Sequence, residues 1–303
     1  LSFIVALSYR EYKSAAVFAG VIIVMAVLSF LLTRRKPENN AFFAKEGVLT
    51  VSLSWIIISF FGAMPFLISG TIPSFIDSLF ESISGFTTTG ASILTDVESL
   101  DRSMLFWRSF THWIGGMGVL MFVVAILPMA GADPLHMMRA ESPGPMKGKL
   151  VPKAQQTAKI LYMIYIGMTL LQTILLLAGG MPLFDSVVHT LGTAGTGGFS
   201  IKNRSIGAYN SAYIDGVITV FMILYGVNFS AFFLLLTRQF KKFLTHEELR
   251  VYIGILLAAM LIITINITGT VYRTVLESFR YASFQVASLM TTTGYATANY
   301  DKW

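Results

Sequence analysis

Three short segments made of threonine and glycine recur along the chain, and their residue types are suited to binding a dehydrated cation. They read TTTG at 87–90 (loop A), GTGG at 195–198 (loop B) and TTTG at 291–294 (loop C). Glycine adopts backbone conformations that are closed to most side chains, so successive main-chain oxygens can point to one side. In potassium channels, rings of such oxygens replace the water shell of the ion. The candidate ion-binding residues are therefore Thr87, Thr88, Thr89, Gly90, Gly195, Thr196, Gly197, Gly198, Thr291, Thr292, Thr293 and Gly294.

The three loops belong to longer repeats of one pattern. The repeats read PSFIDSLFESISGFTTTGASI at 73–93, PLFDSVVHTLGTAGTGGFSI at 182–201 and SFQVASLMTTTGYAT at 283–297. A single shift places Asp77 on Asp185. The third repeat matches the first where Ser288 falls on Ser84. One threonine–glycine segment is ordinary in a turn, whereas three of them in matching surroundings indicate a repeated structural unit.

A short apolar segment precedes each loop. The first, Phe75–Phe86, is too short to cross a bilayer, which takes about 20 residues. It must therefore enter the membrane and return, and irregular backbone at that depth is tolerated only inside protein or along a water-filled path. The pattern predicts that the three loops face a common axis, with the negative ends of short helices directed toward it. A polar residue at one shared place in each short segment is predicted to support its loop, namely Glu81, His189 and Gln285.

The composition indicates a protein that faces lipid. The chain is 54% hydrophobic and 13% charged, with a mean hydropathy of +0.68, whereas soluble domains carry about 25% charged residues. The net charge of +6 comes from basic residues clustered between apolar segments, which fits membrane topology better than nucleic-acid binding. The absence of cysteine excludes disulfides and thiolate catalysis.

Six apolar stretches are long enough to be predicted as membrane spans. They are Ala15–Leu32, Val48–Ser69, Leu105–Met129, Ala158–Gly179, Tyr213–Leu236 and Val251–Ile267. The connecting segments alternate between rich and poor in lysine and arginine, which places the three loops on the outer side. We therefore predict an all-α membrane protein of repeated helix, pore-loop, helix units. The predicted regions are an extra N-terminal transmembrane helix at 1–46, a first unit at 47–130, a cytoplasmic linker at 131–154, a second unit at 155–237 and a third, incomplete unit at 238–303.

The loop sequences and their flanks resemble those of the Trk/Ktr/HKT superfamily of cation transporters, and most closely its bacterial Trk branch. The matching motifs are FTTTGAS, GTAGTGGFS, TTTGYATANYDKW and HWIGGMG. The resemblance covers essentially the whole chain. It implies four pseudo-symmetric units around one pore, of which the fourth is expected to be missing here, so that the chain would be a truncated form.

The resemblance also carries functional expectations. In plant relatives a serine at the first filter position goes with sodium selectivity, and this chain has Gly90 there, so potassium uptake is expected. The expected bound species are potassium ions in the filter, and rubidium, caesium and sodium are further possible ions. No covalently bound cofactor is expected. The other expected partners are membrane lipid, a second copy in a homodimer and a cytosolic nucleotide-binding regulatory subunit, with no nucleic acid. The protein is further expected to be a multi-pass protein of the bacterial plasma membrane and to have no enzymatic activity.

Several alternatives stay open at this stage. The chain could carry sodium or several monovalent cations, or be a secondary transporter for another solute. Arg108 and His112 share a face of one predicted helix, where Arg108 is expected to reach the membrane interface, with a contact behind the filter as the alternative. Gly226 is expected to allow close helix packing or to act as a hinge, and Asn228 could face the pore.

Overall fold

The computed structural model describes residues 1–34, 44–118 and 154–303, and it is built from α-helices. The twelve α-helices in this part of the chain are α1 Ser2–Ser8, α2 Tyr12–Thr33, α3 Ala44–Ser69, α4 Phe75–Phe86, α5 Arg102–Gly116, α6 Ala154–Ala178, α7 Leu183–Ala194, α8 Ala212–Tyr225, α9 Phe229–Leu236, α10 Phe240–Leu244, α11 Glu247–Ile267 and α12 Val275–Met290. The all-α fold class is thereby confirmed. The predicted linker at 131–154 lies almost wholly outside the described residues.

Four of these helices are long and apolar enough to cross a membrane. They lie at Tyr12–Thr33, Leu49–Ser69, Lys159–Ala178 and Glu247–Ile267. No more than 33% of the most apolar window of any of them is buried inside the protein. Because their exposed faces are apolar, these helices are suited to lipid contact.

Two predicted spans differ from the structure. The stretch Tyr213–Leu236 is not one helix, because α8 ends at Tyr225 and α9 begins at Phe229. A Cβ atom at Gly226 would lie 2.5 Å from the Tyr252 hydroxyl, so the glycine at this break also allows close packing. The stretch Leu105–Met129 is a helix only as far as Gly116 within the described residues, and the residues from 119 onward lie outside them.

The chain divides into two compact units. The first comprises Leu1–Thr87, Ala91–Ile93 and Ser99–Tyr162. In it, α3 packs on α4, and α4 packs on α5. A Cβ atom at Gly62 would lie 2.5 Å from the Phe86 ring, and the Trp107 indole donates to the Gly62 carbonyl at 2.9 Å. The short helix α4 is thus held against its neighbours at the distance that a glycine permits.

The second unit comprises Thr88–Gly90, Leu94–Glu98 and Met163–Trp303. Its apolar core contains Leu176, Ile218, Met222, Leu256, Phe284 and Tyr295. Helix α12 packs against both α8 and α11, and α7 packs against α8. At the contact of α8 with α12, the Arg280 guanidinium donates to the Asp215 carboxylate at 2.8 Å. This packing fixes the two short helices that lead into loops B and C.

Candidate functional site

The three loops share one unusual backbone conformation. Each contains two residues with positive φ, separated by one residue. The angles are +56° and +73° at Thr88 and Gly90, +53° and +74° at Thr196 and Gly198, and +58° and +82° at Thr292 and Gly294. A β-branched residue such as threonine rarely adopts positive φ, and such strain is concentrated at functional sites. Its recurrence at the same place in all three loops marks this backbone as a specified feature.

Within the second unit, residues Thr88–Gly90 of loop A, loop B and loop C lie against one another in succession. A Cβ atom built on Gly90 would overlap the carbonyl oxygen of Gly197, and one built on Gly198 would overlap the carbonyl oxygen of Thr293. Around Gly294, a Cβ atom would meet nothing within 4 Å. Glycine is therefore required in loops A and B by contact as well as by conformation, since only hydrogen fits beside the neighbouring main chain.

Local sequence explains how each loop is presented. Each of the short helices α4, α7 and α12 ends directly before its loop, and the first residue of the loop is the C-terminal cap of the helix. The Ser74 hydroxyl accepts a hydrogen bond from the Asp77 amide at the start of α4, and Thr274 accepts one from Glu277 at the start of α12. These caps satisfy free helical amides, and the carboxyl end of each helix, with its partial negative charge, is adjacent to the loop.

The predicted supporting residues contact the chain just beyond each loop. Glu81 accepts hydrogen bonds from the Ser92 hydroxyl at 3.0 Å and from the Ile93 amide at 3.2 Å. His189 Nε2 lies 3.0 Å from the Ser200 hydroxyl. All three of these polar partners lie two or three residues after a loop glycine, so each contact joins a short helix to the chain segment that follows the loop of the same repeat.

The third repeat has a weaker contact of the same kind. Gln285 Nε2 donates to the Thr297 hydroxyl at 3.5 Å, the long limit for a hydrogen bond. Glu81, His189 and Gln285 are all buried. Their placement is the one that a supporting role needs, and the role itself stays a prediction.

Arg108 does not extend to the membrane interface, so that expectation was wrong. It is 2% exposed, and its Nε donates to the Glu81 carboxylate at 2.8 Å. Its Nη2 also lies 3.1 Å from the Ser92 hydroxyl. A buried carboxylate needs a cationic or hydrogen-bonding partner. Arg108 thus contacts Glu81, the predicted supporting residue of loop A, which agrees with the alternative expectation of a contact behind the filter.

The threonine hydroxyls of the loops bond locally. Thr87 Oγ1 donates to the Ile83 carbonyl, and Thr291 Oγ1 donates to the Ala287 carbonyl, at 2.7 and 2.8 Å. Thr291 and Thr293 hydroxyls lie 2.7 Å apart. Gly195 ends α7 as its C-terminal cap. These local contacts hold the first residues of the loops in place.

Sequence reasoning missed the polar contacts between the segments that follow loops A and B. The Asn203 side-chain amide donates to Asp96 at 2.8 Å, and its oxygen accepts from the Val97 amide at 2.9 Å. The Asn203 main-chain amide donates to Glu98. These residues are scattered, ordinary surface types in the sequence, and no periodic pattern distinguishes them.

Comparison with known proteins places these features in a family. Residues 13–303 match the TrkH family model, described as cation transport protein. The Trk system potassium uptake protein TrkH of Salmonella typhimurium is 36% identical over 304 residues, covering 99% of this chain and 63% of that protein. TrkG of Escherichia coli is 32% identical over 303 residues, covering 99% of this chain and 62% of that protein.

A solved structure agrees with these matches. The crystal structure of the potassium transporter TrkH from Vibrio parahaemolyticus superposes with a TM-score of 0.84 at 29% identity, covering all of this chain and 62% of that one. The chain thus spans under two thirds of the length of these relatives. Bacterial relatives and four helices of membrane-spanning length confirm a multi-pass protein of the bacterial plasma membrane. The family is one of transporters and not of enzymes, and this chain belongs to the TrkH family of cation transport proteins.

Proposed function

We propose that this chain is the ion-conducting part of a potassium uptake protein, and that potassium passes along main-chain oxygens of loops A, B and C. The observation that carries the proposal is the pair of left-handed residues repeated in three loops that touch one another. Carbonyl oxygens of strained, closely packed loops can replace the water lost by a cation. Potassium ions held in the loops would be the bound species, with no covalently bound cofactor.

Potassium is proposed over sodium for two reasons. The relatives named above are called potassium uptake proteins. Position 90 is also glycine, and the serine that goes with sodium selectivity in the resembling plant proteins would need a Cβ atom where the Gly197 carbonyl lies. The inward driving force on a monovalent cation is about 2.3 kcal/mol per 100 mV of membrane potential.

The organisation and partners of the protein are part of the same proposal. We assign the pore-forming units to 47–130, 155–237 and 238–303, with the extra helix region at 1–46. A second copy in a homodimer, membrane lipid around the apolar helices, and a cytosolic nucleotide-binding regulatory subunit are the proposed partners. Only 11% of the most apolar window of α2 is buried inside the protein. Its exposed apolar face is therefore suited to contact with lipid or with a second copy.

Rubidium uptake tests the proposal. The protein is expressed in bacteria that lack their own potassium uptake systems, and labelled rubidium is followed with potassium, sodium or caesium as competitor. We expect growth at low potassium and saturable rubidium uptake that potassium inhibits much more strongly than sodium does. Uptake blocked equally by sodium would instead indicate a sodium or mixed cation transporter. Flux of an organic solute without rubidium uptake would refute the proposal.

A further inference from the structure

A main-chain carbonyl directly after the loop glycine is held by a serine hydroxyl in two of the three repeats. In the first repeat, Ser84 Oγ donates to the Ala91 carbonyl, seven residues further on, at 2.6 Å. In the third repeat, Ser288 Oγ donates to the Tyr295 carbonyl, also seven residues further on, at 2.7 Å. Both serines are buried, at 3% and 1% exposure. The same contact therefore fixes the chain where it leaves loops A and C.

The second repeat has no serine to make this contact. The shift that superposes the repeats puts Gly192 at the serine position and Phe199 at the position of the bonded carbonyl. A tyrosine hydroxyl fills this place: Tyr295 Oη lies 3.3 Å from the Phe199 carbonyl oxygen and 3.1 Å from the His189 carbonyl oxygen. Tyr295 is 1% exposed. The hydroxyl that holds the chain after loop B is thus supplied by the third repeat.

Glycine at 192 and tyrosine at 295 depend on each other sterically. A Cβ atom on Gly192 would overlap the Tyr295 hydroxyl oxygen, while the ring carbon that bears it would be 3.4 Å away. The same Cβ atom would lie 3.2 Å from the Phe199 carbonyl oxygen. A serine at 192 and a hydroxyl at 295 therefore compete for one space, and either one brings a donor to the same carbonyl.

We propose that Tyr295 is a positioning residue for loop B, replacing the serine that the second repeat lacks. Its hydroxyl has one proton to share between the Phe199 carbonyl and the His189 carbonyl, so it ties the backbone next to Gly198 to helix α7. Tyr295 directly follows Gly294, and the Ser288 hydroxyl donates to the main-chain carbonyl of Tyr295. The Tyr295 side chain therefore connects the segment that follows loop B to the segment that follows loop C. The role in ion selection rests on the proposed function of the loops.

The alternative is that Tyr295 only fills space, in which case phenylalanine would serve equally. Removing the hydroxyl while keeping the ring separates the two roles. The Tyr295→Phe variant is expected to lower the preference for rubidium over sodium by roughly two- to fivefold, because one net hydrogen bond is worth about 0.5–1 kcal/mol. The preference is a ratio of two fluxes, so it does not depend on the amount of folded protein in the membrane.

A transplanted serine provides the decisive test. Gly192→Ser alone is expected to lower the preference and the unfolding temperature, because its Cβ atom collides with the tyrosine hydroxyl. In the double variant Gly192→Ser/Tyr295→Phe, the collision is removed and the serine can donate to the Phe199 carbonyl as Ser84 does in the first repeat. We compare the logarithm of the rubidium-to-sodium preference among the variants. The double variant is expected to recover at least half of the decrease that the more affected single variant shows.

Tyr225→Phe is the matched control. It removes another buried tyrosine hydroxyl of the same unit, whose hydrogen-bond contact is with Thr169 Oγ1 of helix α6, at 3.5 Å. Its ion preference is expected to stay at the wild-type value. A wild-type preference in Tyr295→Phe, or a double variant whose losses simply multiply, would overturn the inference. Absence of rubidium uptake by the wild-type protein would instead refute the proposed function, so the two failures are distinguishable.

Discussion

Gly90→Ser is the substitution that tests the loop backbone most directly, and Gly294→Ser is its matched control. Both glycines have left-handed φ, at +73° and +82°. A side chain at either position therefore carries a similar conformational cost of about 1–2 kcal/mol. Only at position 90 does the new Cβ atom meet another loop, because it would overlap the Gly197 carbonyl oxygen, whereas position 294 has open space.

The size of the effect follows from the displaced oxygen. To restore an ordinary carbon–oxygen contact of ~3.5 Å, the Gly197 oxygen must retreat by roughly 1 Å or more. For an oxygen carrying about half a charge, moving from about 3 to about 4 Å from a cation costs about 0.7 kcal/mol at an effective dielectric constant of about 20. A change of this size alters a binding constant about threefold.

The assay compares rubidium and sodium uptake by the two variants and the wild type in the same cells, each corrected for protein in the membrane. We expect Gly90→Ser to lower the preference for rubidium about threefold or more, and Gly294→Ser to lower it clearly less. Equal effects of the two variants would show that strain rather than contact with loop B matters. An unchanged preference in Gly90→Ser would refute the assignment of loop A to the ion path.

Three further predictions concern stability and loop support. Arg108→Met should destabilise the protein by about 3–5 kcal/mol by leaving the Glu81 carboxylate buried without its cation, and adding Glu81→Leu should recover part of this loss in detergent unfolding. Gly62→Ala should lower the unfolding temperature through about 1–3 kcal/mol of overpacking against α4, whereas Gly167→Ala, which has open space, should leave it unchanged or slightly higher. Ser288→Ala removes a 2.7 Å hydrogen bond to a carbonyl that follows loop C and should reduce the preference for rubidium by roughly two- to fivefold, with a wild-type ratio contradicting the supporting role.

The local elements were predictable where hydrophobic length and repetition determine them. The short helix at Phe75–Phe86 has the predicted bounds, since an apolar run between a serine cap and a threonine–glycine loop leaves little choice. The break within Tyr213–Leu236 was not predicted, because the hydropathy of an apolar stretch does not indicate whether a glycine in it interrupts the helix. Close contact of Gly226 with Tyr252 arises from tertiary packing, which a single sequence does not display.

The loops themselves were only partly predictable. Their glycines were assigned the unusual backbone, but the left-handed conformation of Thr88 runs against threonine's own preference, so no residue-level rule finds it. The burial of Arg108 was missed because its partner Glu81 lies 27 residues earlier, on another helix. The Tyr295 contact was missed for a similar reason, since Tyr295 and Phe199 belong to different repeats and lie 96 positions apart in the chain.

The assignment of Thr88–Gly90 and Leu94–Glu98 to the second compact unit has a consequence for biosynthesis. The Val97 amide bonds to a residue 106 positions later in the chain. At a translation rate of about 5–20 residues per second, the first loop waits roughly 5–20 s after leaving the ribosome before its partners exist. The Val97 amide of the nascent first repeat therefore cannot make this hydrogen bond until the second repeat has been synthesised.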